Sequence, residues 1–333
     1  MSAVAAAPGG ELSYGVDIGG TKVLGLALDA AGRDVAEARV PTPGGPAAPG
    51  HEGEEVAAAV ARVVEELDAA TAMSDVPVGV GVPGMLDLEG RLRFSPNLPQ
   101  GHRVSWRTLL EPHMAGRPFV VENDANMAAL AELRLGAAKG ARAAWMVTLG
   151  TGIGGGLILD GKVQVGAHGF AGEIGHMVVD PAGPPCPCGR HGCWERYASG
   201  AGLGLLARQA ALAGNLPEVV ARAGGDPEAV RGEDVTAAAR AGDGGARRVL
   251  ERVGWWVGFG LANLAAVVDP ECFVLGGGLV GAGEALLESA RQSFDELVEG
   301  GRARPTTRIV AAAFGERAGA VGAAVAARQG GLD

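Results

Sequence analysis

Four short stretches of this 333-residue chain carry side chains able to do chemistry. Glu122-Asn123-Asp124 closes a short apolar run and opens an Ala- and Leu-rich one. A carboxylate at such a strand-to-helix corner can take the proton of an attacking hydroxyl, worth about 10²–10⁴-fold in rate. Asp124 can equally be the N-cap of that helix, a common place for Asp. Two Gly turns, Asp17-Ile18-Gly19-Gly20-Thr21-Lys22 and Thr148-Leu149-Gly150-Thr151-Gly152, can bring backbone N–H groups close to a phosphate chain, as a nest does. Asp17 adds a carboxylate suited to magnesium or its waters. Either turn alone reads as well as a plain tight hairpin. The fourth stretch is His176 with Cys186, Cys188 and Cys193, spaced His-x9-Cys-x-Cys-x4-Cys. Three thiols and an imidazole make a closed tetrahedral set for structural zinc, and the alternative is three unconnected reduced thiols. The fourth cysteine, Cys272, sits in an apolar run and reads as core.

Two familiar motifs fit by letter and fail by context. Gly150-x-Gly152-x-x-Gly155 resembles a dinucleotide fingerprint, but a strand follows it where a helix N-terminus is required. Gly156 to Lys162 resembles a P-loop, but Val163 stands where a Ser or Thr must reach magnesium.

The elements that would position these residues follow from hydrophobic periodicity. Tyr14 to Asp29 reads as strand, Gly turn and strand, and Trp145 to Asp160 repeats it. At an offset of 131 residues the two share Val16/Val147, Gly19/Gly150, Gly25/Gly156, Leu26/Leu157, Leu28/Leu159 and Asp29/Asp160, which suggests a duplicated unit. Further strands are expected at Val76–Val82, Phe119–Glu122, Cys272–Leu275 and Arg308–Ala313. Helices are expected near Glu52–Ala70, Ala125–Leu135, Ala246–Val268 and Gly319–Arg328. Strand-turn-strand units followed by helices, twice over, predict two α/β domains with ligands bound at strand ends and in a cleft between them.

Composition narrows the function classes. Hydrophobic residues at 47% and charged residues at 20% describe a globular chain. A net charge of −10 leaves no basic stripe for nucleic acid. The apolar stretches are broken by Gly, so no membrane span is expected, and Met1 to Gly10 does not read as a signal peptide. A cytoplasmic location with reduced cysteines follows. Trp255, Trp256 and Phe259, on one apolar helix, are candidates for core or for a dimer interface.

Taken together these motifs resemble the ROK family of bacterial sugar kinases and sugar-responsive repressors, in particular its ATP-dependent glucokinases from high-GC Gram-positive bacteria. The signature runs from Leu149 through Gly152, Gly154, Gly156, Gly166, Gly172 and Gly175 to His176, and the likeness spans about Leu12 to Arg328. The resemblance implies an actin-like, hexokinase-type fold of two RNase H-like α/β domains. The expected boundaries are 11–121 joined by the C-terminal helix 317–330, and 122–316 carrying the zinc loop. It implies ATP and Mg2+ held by Asp17, Gly19, Gly20, Thr21, Lys22, Thr148, Gly150, Thr151, Gly152 and the adenosine-side loop Gly276-Gly277-Gly278. It implies a hexose bound by Gly84, Asn97, Asn123, Asp124, Glu173, His176 and Glu195, with Asp124 as general base, and structural Zn2+ on His176, Cys186, Cys188 and Cys193. Glucose is the first expectation. Fructose, mannose, an N-acetylated amino sugar, polyphosphate as donor, or a non-catalytic sugar sensor are the alternatives, and a homodimer or homotetramer is expected. Only about a dozen residues precede the first strand, too few for a repressor's helix-turn-helix.

Overall fold

A computed structural model describes residues 12–44, 53–95, 98 and 103–332; Asn97 and the N-terminal eleven residues lie outside them. Alternation builds the first hairpin. Tyr14, Val16 and Ile18 of β1 (Ser13–Ile18) are fully buried, and β2 (Lys22–Leu28) returns antiparallel beside it. β3 (Asp34–Pro41) buries only part of one face, as an edge strand does. Next come α1 (Glu54–Thr71), β4 (Val78–Val82), the small hairpin β5 (Met85–Leu86) and β6 (Leu92–Phe94), α2 (Trp106–Leu110), β7 (Phe119–Asn123) and α3 (Asp124–Arg134). The sheet order is β3-β2-β1-β4-β7, with β1, β4 and β7 parallel.

The chain then repeats the plan. β8 (Ala143–Leu149), β9 (Ile153–Leu159) and β10 (Lys162–Gln164) precede α4 (Glu195–Ala198), α5 (Gly200–Leu212), α6 (Pro217–Arg222), α7 (Gly232–Arg240) and α8 (Gly244–Val268). β11 (Cys272–Gly276), α9 (Glu284–Leu297), β12 (Arg308–Ala311) and α10 (Ala318–Gln329) complete it. The second sheet has the order β10-β9-β8-β11-β12, the same as the first, with β8, β11 and β12 parallel. The hairpins themselves differ by one residue. Ile18 pairs with Val23 around four residues, whereas Leu149 pairs with Ile153 around three. The ungapped offset of 131 therefore matches letters across the turn that are one step out of structural register.

Two compact units result, Met1–Gly136 with Lys162–Ala171 and Arg317–Asp333, and Ala137–Gly161 with Gly172–Glu316. Each has its own apolar core. A division at residue 122 was expected; instead α3 stays with the first unit because it packs along α10.

In the first unit α1 buries Val56, Val60, Val63, Val64 and Leu67 against the sheet. α10, almost all Ala, Gly and Val, is buried from Ala318 to Ala327. Its small side chains let backbones touch. A methyl group on Gly79 of β4 would lie 1.9 Å from the Ala323 carbonyl oxygen, and one on Gly322 would lie 1.7 Å from the Met127 carbonyl oxygen on α3. Neither neighbour is a side chain that could swing away. Gly322→Ala is expected to destabilise the protein by about 3 kcal/mol, the upper end of the usual cost of overpacking. Urea unfolding measures this, and an unchanged midpoint would show that α10 can lift from α3 without cost.

Candidate active site

β7 delivers the acidic motif to the start of α3. Asn123, with φ −62° and ψ 141°, is the N-cap, and its Oδ1 accepts the Asn126 N–H at 3.0 Å. Asp124 is thus the first helical residue and not the cap that its sequence context also allowed. Its Oδ1 accepts the Ala125 N–H at 2.9 Å and the Asn123 Nδ2–H at 3.1 Å. Asn123 Nδ2 also donates to the Gly84 carbonyl at 3.0 Å, which ties the turn between β4 and β5 to the corner. Glu122 Oε1 accepts the Asn123 N–H at 2.7 Å and Asn126 Nδ2 at 3.3 Å. Glu122, Asn123, Asn126 and Gly84 together hold Asp124 in one place.

Asp17 reaches the same corner from β1. It is opposite Gly81 in the sheet, and Gly81 is in turn opposite Glu122. Its Oδ1 is inaccessible to solvent and has no hydrogen-bond partner. Dense surroundings and the nearby Asp124 charge push the Asp17 carboxyl up to about 8, against the pull of Lys22. Burial pushes Asp124 up to about 6 despite its hydrogen bonds, and burial also raises Glu122. Two carboxyls in one poorly solvated space favour a shared proton or a bound cation.

The phosphate-type turns have a different physical basis from the one expected. No residue of Gly19-Gly20-Thr21 or Gly150-Thr151-Gly152 has positive φ, so neither turn is a nest. What glycine supplies is clearance: a methyl group on Gly20 or Gly150 would meet nothing within 4 Å. The first turn is held by the Thr42 N–H on the Thr21 carbonyl, at 3.1 Å, and Thr42 Oγ1 on the Gly19 carbonyl, at 2.7 Å. In the second, Thr148 Oγ1 accepts the Gly154 N–H at 3.1 Å, and the N-terminus of α5 donates from Gly200 and Ala201 to the Gly150 and Thr151 carbonyls. Gly277, with φ +86°, lies against Leu149 at the end of β8, so the Gly276-Gly277-Gly278 loop borders this turn. Gly84 has φ +112° and leaves no room for a side chain beside the Phe94 carbonyl.

In the second unit His176, Cys186, Cys188 and Cys193 converge, with their ligand atoms all within 4.8 Å of one another. Cys188 and Cys193 Sγ are 3.5 Å apart, and Cys186 Sγ is 3.7 Å from His176 Nδ1. A tetrahedral zinc with ordinary bond lengths requires about 3.8 Å between sulfurs and about 3.6 Å between sulfur and nitrogen. The donor set fits that ion, with Nδ1 as the ring ligand. His176 Nε2 faces the Glu173 Oε2 at 3.9 Å, so Glu173 and His176 do share one side of the short turn between them.

Glu195 joins this cluster to the second Gly turn. Its Oε1 is 3.1 Å from Cys186 Sγ and 3.6 Å from His176 Nδ1, and its Oε2 lies where a methyl group on Gly152 would come within 2.5 Å. The flanking Trp194 is fully buried and donates its indole N–H to the Trp256 carbonyl at 2.7 Å. Trp256 stacks on Tyr197 with ring centroids 4.2 Å apart. Trp256 of α8 thus braces the zinc loop, a role that apolar periodicity alone did not distinguish from core or interface.

Sequence reasoning missed Gly81, Gly319, Asn126 and Trp194. Gly81, Gly319 and Trp194 act by proximity to residues far away in the chain. Only Asn126 carried a local signal, three residues after an Asn at a helix start.

The carboxyl pair has a measurable consequence. An ordinary Asp ionises near 3.8, so a folded value raised to about 6 or 8 means that the folded chain keeps protons the unfolded chain releases. Stability contributed below pH 4 is then lost as pH rises, through about 6 for Asp124 and about 8 for Asp17. Asp17→Asn is expected to flatten this decline and to melt above the parent protein at pH 8. Parallel curves of Tm against pH would refute the charge crowding.

A ROK family model matches residues 13–330. The glucokinase of Streptomyces coelicolor is 39% identical over 327 residues, covering 96% of this chain and 98% of that protein. A ROK family glucokinase from Streptomyces griseus, solved in complex with glucose and AMPPNP, aligns with a TM-score of 0.84 at 39% identity, over 96% of this chain and 99% of that one. The ROK hexokinase of Thermus thermophilus aligns with a TM-score of 0.76 at 35% identity, over 96% and 98%. The expected actin-like α/β fold is therefore the fold of this chain. Matched along nearly its whole length, the chain belongs to the ROK family.

Proposed function

We propose that this chain is an ATP-dependent hexose kinase that converts glucose to glucose 6-phosphate, with Asp124 as general base. The observation that carries the reading is the Asp124 carboxyl, fixed at the start of α3 and raised to about 6 beside Asp17. Such a group is largely ionised at neutral pH, yet basic enough to accept a hydroxyl proton. Asn123 Nδ2 and the Ala125 N–H both bind one oxygen, Oδ1, and so orient the carboxylate. The proton of the attacking sugar hydroxyl passes to Asp124 as its oxygen bonds to the γ-phosphorus, and ADP leaves with the electron pair of the broken P–O bond.

The remaining residues bind and orient. Asp17, whose buried Oδ1 has no partner, would hold the magnesium of MgATP, which neutralises charge on the phosphates. The Gly19-Gly20-Thr21-Lys22 and Thr148 to Gly152 turns offer unobstructed backbone to the phosphates, and the Gly276-Gly277-Gly278 loop offers it to the adenosine. By the family resemblance Glu173, His176 and Glu195, and likewise Asn123, Asn97 and the Gly84 backbone, would bind the hexose. Zinc on Nδ1 of His176 would leave Nε2–H as a fixed donor. No described helix is long and apolar enough to cross a membrane, and reduced thiols at a zinc set fit the cytoplasm.

Asp124→Asn is expected to bind glucose normally while losing about 10²–10⁴-fold in kcat. For the parent enzyme, kcat/KM for glucose should fall as pH drops through about 6, when Asp124 takes up its proton. A mutant turning over at the parent rate would overturn the assignment. A panel of glucose, fructose, mannose and N-acetylated amino sugars, against ATP and polyphosphate, tests the substrate. A chain showing no sugar-stimulated ATP turnover would instead be a sensor. Metal analysis should find one zinc per chain, and Cys188→Ser should lose it and weaken glucose binding measured by calorimetry.

A further inference from the structure

α10 begins at Ala318 without a capping side chain, and its second residue is Gly319. Glycine is a poor helix former, and alanine at this position would suit the helix better. The Gly319 backbone is not left-handed, so conformation does not demand glycine there. A methyl group on Gly319 would lie 2.6 Å from Oδ1, 2.7 Å from Cγ and 3.0 Å from Oδ2 of Asp17. Its three nearest contacts all belong to one carboxyl. Gly322 in the same helix is different, because its methyl group would strike the Met127 backbone. On the strand side, a methyl group on Gly81 would come 3.1 Å from Asp17 Oδ1 and 3.5 Å from Asp124 Cα.

We propose that Gly319 and Gly81 are positioning residues: they present no side chain to the Asp17 carboxyl and so set its place beside Asp124. Asp has a short side chain with two torsions, and its head group cannot step aside while staying in this seat. An added methyl group at either position moves the carboxylate before it moves the fold. At Gly319 the close contacts are with Asp17, so the effect is specific to that group. The functional part of the proposal rests on Asp17 serving the magnesium and phosphate side of the reaction.

The test uses Gly319→Ala, Asp17→Asn, Asp17→Ala and the Asp17→Ala/Gly319→Ala pair in the full chain. Gly319→Ala is expected to keep the parent glucose affinity by calorimetry and to lose about 10²-fold in kcat/KM for MgATP, the scale of an ångström-sized misplacement. Melting temperature supplies a second readout that a general packing role would not give. Gly319→Ala should lower Tm in the parent protein but raise it once Asp17→Ala has removed the carboxyl, because only the helix preference then remains. The same sign of change in both backgrounds, or parent-like kinetics with MgATP, overturns the proposal. If Asp17→Asn shows parent kinetics, the assigned role of Asp17 fails, and the sign reversal in Tm still decides whether the seat exists.

Discussion

Two carboxyl groups must sit close together at the end of a sheet, and the first unit is arranged around that constraint. Asp17 and Asp124 repel one another when both are ionised, and their surroundings solvate charge poorly. Each lies at the first turn of a helix, Asp124 on α3 and Asp17 against Gly319 of α10. The positive end of a helix dipole favours a negative group there by a few tenths to about one kcal/mol, falling off within a turn. That is less than the crowding costs, which is why both carboxyls remain raised. The two helices can present their N-termini side by side because Gly322 lets α10 rest on the α3 backbone. The glycines of α10 thus serve the charge arrangement as well as the packing.

Residual strain of this kind suits a base. A carboxylate made comfortable by several strong donors would hold its charge and refuse a proton. The donors to Asp124 are backbone N–H groups and the neutral Asn123 amide, and burial outweighs them. Asn123 gives Asp124 one neutral amide donor and otherwise serves the N-cap and Gly84, while Glu122 bonds only to the Asn123 N–H and Asn126, so the corner is oriented with little charge-assisted stabilisation of the Asp124 carboxylate.

Much of this was legible in the sequence, for reasons that differ by element. The strands and helices followed from alternation and 3.6-residue periodicity, because burial acts on every residue in turn. The duplicated plan was legible from Gly and apolar matches, although one residue fewer in the second turn shifts the true pairing by a step. The zinc set was legible because four ligands fall within 18 positions of the chain. The Asp124 corner was readable as chemistry but not as geometry: whether Asp124 or Asn123 caps the helix depends on one ψ angle. Contacts such as Gly319 with Asp17, about 300 positions apart, leave no local pattern. They arise only once α10, the last helix, has docked on the first strands.

The repeat also explains why the chemistry is one-sided. At the offset linking the two hairpins, Asp17 corresponds to Thr148, and the same sheet order surrounds both. Thr148 spends its hydroxyl on the Gly154 N–H, a neutral contact within its own turn. A second acidic residue there would add negative charge beside a turn whose open backbone suits a phosphate chain, and would work against it. The second unit instead places its carboxylates, Glu173 and Glu195, beside the His176 imidazole and the thiols. There a bound metal would offset their charge, and Trp194, locked by the Trp256 carbonyl, holds the loop in register. One architecture used twice thus carries a pair of buried carboxyls in one copy and a braced His/Cys loop in the other. The difference traces to which residue occupies the end of the first strand of each hairpin.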